Sequence, residues 1–296
     1  MGALTGRTMF ISGGSRGIGE AIAVAAAREG ANVAIAAKTD QPHPKLPGTI
    51  HTAVEAVEAA GGKGLALLCD IRDEMQVAEA VETAAGHFGG IDFCVNNASA
   101  IQLTPTMATD VKRYDLMTGI NSRGTYVVTQ KCLPHLLKSD HAHILTLSPP
   151  LDLSPQWFRN HPAYSLAKYG MTMLTMGWAA EFADKVAANC LWPRTAIDTA
   201  AVRNLLGGDA MASQSRTPEI MGDAAAAILK KGTDFTGWAC MDDLVLAAEG
   251  ITDFDQYAVT PGGKLQLDFF FPHDTPAPVD AGGQVGWKVP QLTGLG

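Results

Sequence analysis

The chain has 296 residues, 47% of them hydrophobic and 18% charged, with a formal net charge of -8. That balance supplies the core of one large α/β domain, alone or with an extension. The acidity argues against nucleic-acid binding, which calls for basic patches, and serves mainly solubility. The cysteines, Cys69, Cys94, Cys132, Cys190 and Cys240, are scattered without a C-x-x-C pair, so neither a metal site nor a redox pair is expected. Their odd number and apolar neighbours suit small core residues in a reducing compartment. No charged and apolar leader opens the chain, and no apolar run is long enough to span a membrane. A cytoplasmic location is expected, with an organelle left open.

Short apolar runs alternate with longer Ala-rich amphipathic runs. In chain order, 8–12, 32–37, 65–69, 91–95, 143–147 and 186–191 read as buried strands. Between them, 18–28, 50–60, 73–87, 111–133 and 164–182 read as helices. Asp73-Glu74-Met75-Gln76 has the form of a capping box opening the third helix. This βαβ rhythm predicts an α/β fold: a single Rossmann-type, doubly wound parallel sheet with helices on both faces. Three segments break the rhythm. Gln41 to Gly48 is stiffened by Pro42, Pro44 and Pro47, and Pro149 to Pro162 is irregular and carries Trp157 and Phe158. From 261 onward the chain is rich in Gly and Pro, with Phe269, Phe270 and Phe271 clustered. The expected division is a domain over 1–260 and an extension over 261–296, either disordered or packed on a partner subunit.

Ser12-Gly13-Gly14-Ser15-Arg16-Gly17-Ile18-Gly19 lies between the first strand and the first helix. Glycine permits a tight turn and close approach of the backbone to a ligand. The helix N-terminus then offers free N–H groups and a positive dipole end to a pyrophosphate. Farther on, Tyr164 and Lys168 are four residues apart, which stacks phenol and ammonium on one helix face. A nearby cation is expected to lower a phenol's pKa from about 10 and fit it for proton exchange with a substrate oxygen.

Together these residues resemble the short-chain dehydrogenases/reductases. The resemblance rests on Gly13, Gly17 and Gly19, Asn96-Asn97-Ala98, Asn121, Ser148, Tyr164 and Lys168, in the family's order and with roughly its spacing, over residues 7 to 240. More narrowly, Ala36-Ala37-Lys38-Thr39, Gln41 to Leu46, Ser148-Pro149-Pro150, Trp192-Pro193 and Thr195-Ala196-Ile197 resemble the hydroxysteroid dehydrogenase-like group. Some members of that group carry a C-terminal sterol-carrier domain, for which this chain is too short.

The resemblance implies a catalytic set. Tyr164 would be the acid/base, Lys168 would lower its pKa and hold the nicotinamide ribose, and Ser148 would bond the substrate oxygen. Asn121 would anchor a water that links Lys168 to solvent. Cofactor contacts are implied at Gly13, Ser15, Arg16, Gly17, Ile18, Gly19, Lys38, Asp70, Ile71, Asn97, Ala98, Tyr164, Lys168, Pro193, Thr195 and Ile197, with Thr199 at the carboxamide end. Lys38 and Arg16 near the adenosine end favour NADP(H) on charge complementarity, with NAD(H) as the second candidate. The expected substrate is a small carbonyl compound or alcohol, apolar or lipid-like. A homodimer or homotetramer is expected by analogy only.

Departures from the family pattern are also informative. The loop between Ser148 and Tyr164 is a few residues longer than usual, and Pro149 and Pro150 stiffen it. Where the family has Pro-Gly this chain has Pro193-Arg194, leaving Arg194 to meet an anionic group, the cofactor or solvent. Leu205, Leu206 and Met211 beside Gly207 and Gly208 suit a hinged lid. Two other readings stand beside the enzyme: a cofactor-binding regulatory or scaffold protein with little turnover, and a lipid-binding accessory protein.

Overall fold

The structure is a computed structural model and describes residues 2–44, 46–272 and 274–288. One eight-stranded sheet organises it. In chain order the strands are β1 (Thr8–Ser12), β2 (Asn32–Ala37), β3 (Lys63–Leu68), β4 (Phe93–Asn96), β5 (Ala142–Thr146), β6 (Val186–Trp192), β7 (Trp238–Met241) and β8 (Gly286–Lys288). Their spatial order is β3-β2-β1-β4-β5-β6-β7-β8. The first seven are parallel, and β8 closes the edge antiparallel to β7.

The helices are α1 (Gly17–Arg28), α2 (Ile50–Ala59), α3 (Glu74–Phe88), α4 (Val111–Thr118), α5 (Thr125–Leu136), α6 (Pro162–Glu181), α7 (Gly208–Ala212), α8 (Glu219–Leu229) and α9 (Asp242–Ala248). Successive strand side chains point to opposite faces. Met9 and Ile11 therefore pack with α1, α2, α8 and α9, whereas Phe10 between them packs with α3, α5 and α6. Both faces are covered, which is why the central strands are continuous apolar runs. The doubly wound parallel sheet expected from the sequence is the observed architecture.

Three local expectations change. The helix expected over 111–133 is interrupted by a wide, π-type turn at Gly119–Gly124. Asp73 does cap α3, accepting from Met75 N at 2.9 Å and Gln76 N at 3.3 Å, but Gln76 does not return the bond as a capping box requires. Its amide instead donates to the Asp73 carboxylate and accepts from Asp70 N. The reciprocal box lies at the start of α2, between Thr49 and Thr52. Finally, the described part of the extension packs on this chain. Phe270 is fully buried, and 286–288 supply the edge strand. Residues 289–296 lie outside the described residues.

All five cysteines are buried and unpaired. Among the described residues, no helix is long and apolar enough to cross a membrane.

His143 on β5 is fully buried, its Nε2 donating to Lys231 O at 2.8 Å. Burial, reinforced by His141, pushes its pKa down to about 4. The unfolded chain takes up the proton near pH 6.5, so stability is intact above about 6.5 and lost as pH falls toward 4. His143→Gln is expected to make urea-unfolding stability fall less steeply across that window, by up to about 3 kcal/mol in total. Asp242 and Asp268, whose pKa values burial raises to about 7, act with the opposite sign, so the comparison with wild type isolates His143. An unchanged slope would show that His143 is not the acid-sensitive group.

Candidate active site

The strand order reverses between β1 and β4, and ligands of open α/β sheets bind where it does, beyond the strands' carboxyl ends. A groove of about 860 Å³ lies there. Gly13, Ser15, Arg16, Gly17, Ile18, Gly19, Lys38, Asp70, Ile71, Asn97 and Ala98 line it. Its floor requires glycine. Gly13 has φ +70°, and a Cβ there would sit 2.8 Å from Ala98 Cα. A Cβ on Gly19 would come within 2.4 Å of Asn97 Nδ2. Asn97 holds the turn by donating to Gly13 O at 2.8 Å. α1 begins at Gly17, so its free N–H groups face the cradle.

At the groove's outer end, Lys38 Nζ is half-exposed, 3.7 Å from Asp70 Oδ2. Arg72, not singled out from the sequence, bonds Asp70 through two nitrogens and holds its carboxyl down at about 2. Arg16 Nη2 donates to Gly48 O at 2.9 Å. Of the expected cofactor contacts, Pro193, Thr195, Ile197, Tyr164 and Lys168 do not line the groove; the first three are buried beside it, Ile197 in the core. The wall there is Asp198 to Ala201 and Arg203 to Leu205. Arg203 pins this wall through Asp198 and Asp209. The cradle, the helix terminus and the cations suit a dinucleotide.

The second half of the site is built on α6. Tyr164, Lys168 and Thr172 lie one turn apart on the face that meets the chain after β5. Lys168 Nζ donates to Leu147 O at 2.8 Å, and Thr172 Oγ1 donates to Pro149 O at 2.7 Å. Those two bonds bracket Ser148, whose hydroxyl is buried and has no hydrogen-bond partner among the described residues. Asn121 is fully buried in the wide turn, and its amide is spent on Ala100, accepting from N at 2.8 Å and donating to O at 3.0 Å. Its side chain thus ties the turn to the groove wall.

The electrostatics differ from expectation. Burial, with Asp268 adding to it, pushes the Tyr164 phenol well above its ordinary value, so Lys168 does not leave it lowered. Burial also brings the Lys168 ammonium down to about 8, with Asp268 and Cys190 opposing. Lys168 is aimed at Leu147 O and sits 5.1 Å from the Trp192 ring centre. The resting pair is therefore a neutral phenol beside a weakened cation.

The loop after Ser148 is organised by Asp152, which accepts from Ser154 N at 2.8 Å and Trp157 Nε1 at 2.8 Å. Over Tyr164 lies Phe270, its ring centre 6.1 Å away, and it also touches Trp157, His161, Tyr169 and Trp192. Arg194 meets neither groove nor solvent. Its Nε donates to the buried Asp243 carboxylate, its Nη2 to Pro276 O at 2.8 Å, and it stacks on Phe271. The triple Phe was the available signal that this segment is core.

A family model described as short chain dehydrogenase matches residues 7–208. The chain belongs to the short-chain dehydrogenase family. Hydroxysteroid dehydrogenase-like protein 2 of Danio rerio is 59% identical over 269 residues, 91% of this short-chain dehydrogenase and 65% of that protein. The Xenopus tropicalis protein of that name is 58% identical over 91% of this chain and 64% of its own length. This short-chain dehydrogenase therefore spans just under two thirds of those relatives. A crystal structure of a short chain dehydrogenase from Mycobacterium thermoresistibile is 51% identical, with a TM-score of 0.87 over 92% of this chain and 98% of that one.

Proposed function

We propose that this chain is a nicotinamide-dependent oxidoreductase that interconverts a carbonyl and a secondary alcohol. The observation that carries the reading is the pairing of a glycine-floored groove with Ser148, Tyr164 and Lys168 just beyond it. When bound, the cofactor supplies or accepts the hydride. Tyr164 exchanges the proton with the substrate oxygen, and its protonated resting form suits reduction. Ser148's buried, unpartnered hydroxyl is available to orient that oxygen. Lys168 offers a cation to the ribose and to the developing charge, and Asn121 fixes the wall that the nicotinamide would face.

NADP(H) is the preferred partner in this reading, because Arg16 and Lys38 border the adenosine end. Asp70 partly neutralises Lys38 and keeps NAD(H) as the second candidate. The substrate is apolar, in keeping with Met117, Ile101, Leu103, Trp157, Phe158 and Phe270 around Tyr164. Leu166 and Met173 are exposed on one face of α6, which supports self-association as a homodimer or homotetramer. The turn carrying Leu205 serves as a lid.

Thermal shift tests the cofactor. NADPH is expected to raise the melting temperature more than NADH, and Lys38→Ala with Arg16→Ala should erase the difference. Equal shifts in wild type would remove the NADP(H) preference. A panel of ketones with NADPH tests the reaction. The competing reading, a cofactor-binding protein with little turnover, is favoured by the closure of Phe270 over Tyr164, and predicts binding without oxidation of NADPH.

A further inference from the structure

Phe270 is unusual on two independent counts. Its side chain is fully buried inside an aromatic cage, with ring centres at 5.2 Å from Tyr169, 6.0 Å from His161 and Trp192, and 6.1 Å from Tyr164 and Trp157. Its backbone has φ +63°, in the left-handed region that a bulky side chain occupies only at a cost in free energy. Among the described residues, Asp184 alone of the other non-glycine residues shares a positive φ. Such outliers persist where the surroundings over-determine them, and they gather at ligand clamps and switching segments.

The cage is braced without Phe270. Trp157 Nε1 and Tyr169 Oη both donate to Asp152, at 2.8 and 2.6 Å, and Ser165 Oγ donates to Trp157 O at 2.6 Å. These walls belong to the loop after Ser148 and to α6, whereas Phe270 arrives on a separate segment. That segment is anchored on both sides of it. Before it, Asp268 N donates to Arg194 O at 3.0 Å, and Phe269 O accepts from Trp192 Nε1 at 2.8 Å. After it, Phe271 packs on Met241 and Leu244. A change in the turn at Phe269–Phe270, between those anchors, takes the ring out and releases the left-handed strain. Tyr164 is itself a wall of the cage, and Ala100 and Ile101 both pack on this cluster and line the groove.

We propose that Phe270 is a removable plug and a specificity-determining residue: its ring holds the place of the substrate's apolar group, which is of phenyl size and attached directly to the carbonyl. On the oxidoreductase reading, on which this rests, the substrates are neutral aryl or cyclic ketones and the corresponding alcohols. A larger or charged group does not fit walls shaped to one phenyl ring. The exchange costs little, because one apolar ring leaves the cage as another enters.

The test is binding of acetophenone and of its carbonyl-free isostere α-methylstyrene to the whole protein with NADP+, followed by ligand-observed NMR. Phe270→Ala is expected to bind acetophenone about tenfold more tightly than wild type, since no ring has to leave. It should also prefer acetophenone over α-methylstyrene by about tenfold, the worth of a hydrogen bond from the Ser148 or Tyr164 hydroxyl. Adding Ser148→Ala and Tyr164→Phe should abolish that preference. Equal affinities for the two probes would mean an ordinary core cavity and overturn the proposal, as would no gain over wild type. If Phe270→Ala fails to fold, hydrogen exchange of wild type at 266–272 decides. Acetophenone should speed it, the reverse of ordinary ligand protection, and unchanged or slower exchange overturns the plug. Acetophenone bound with this preference but never reduced by NADPH would sink the oxidoreductase reading alone. Ketones reduced by wild type, with no tighter binding in Phe270→Ala, would sink the plug alone.

Discussion

Tyr164→Phe is expected to lower kcat/KM for ketone reduction by about 10²- to 10⁴-fold, the usual contribution of a positioned acid–base group. The substitution removes one oxygen from a ring packed by His161 and Phe270 and leaves those contacts in place. Tyr164 is a buried phenol held protonated, so the proton it would give to the nascent alkoxide is present before the reaction starts. Without the hydroxyl, Ser148 can still bond the substrate oxygen, which leaves a residual rate. Cofactor binding should survive, because the groove is floored and walled by other residues. Steady-state kinetics with a thermal-shift control checks both halves. Full rate in a folded Tyr164→Phe protein would mean that the proton comes from elsewhere.

Asp243→Ala is expected to destabilise the fold by about 3–5 kcal/mol, the range for breaking a buried ion pair from one side. Asp243 is fully buried and its Oδ2 accepts from Arg194 Nε and from Arg216 Nη1, the latter at 3.0 Å. Removing it leaves two guanidinium groups buried without their anion. The loss should spread locally as well, since Arg194 also holds Pro276 O and stacks on Phe271. Urea unfolding measures the first effect. Hydrogen exchange at 266–272 measures the second and should rise. A stability change within about 0.5 kcal/mol, the scale of surface substitutions, would show that the cluster is not a structural pin.

Much of the fold was legible because five of its first six strands, all but the edge strand β3, are buried on both faces. Such strands write themselves as apolar runs between amphipathic helices, and 8–12 and 32–37 match β1 and β2 to the residue. Legibility fell after β6 for physical reasons. α8 is buried over most of its length, and its two polar residues, Glu219 and Asp223, are too few to set a helical period. β7 and β8 are too short to alternate. The segment from 261 looked like an extension because Gly and Pro dominate it, yet its few aromatic residues cover the site.

The site divides in the same way. Gly13, Gly17 and Gly19 could be read because a close backbone approach leaves no other residue type. Tyr164 and Lys168 could be read because helical spacing aligns them. The wide turn at Asn121, the enclosure of Arg194 and the placing of Asp268 depend on contacts far apart in sequence. The lowered phenol pKa failed as an expectation because a two-residue motif carries the charge of Lys168 but not the cost of burying both groups.

The central claim is that hydride and proton transfer meet at Tyr164 beside a nicotinamide groove. The most direct measurement is label transfer: NADPH deuterated at C4 is incubated with the protein and a panel of neutral ketones, and the alcohols are analysed by mass spectrometry. The account predicts deuterium at the carbinol carbon with wild type, and far less with Tyr164→Phe at equal cofactor occupancy. Tight cofactor binding with no label transfer across the panel would contradict it.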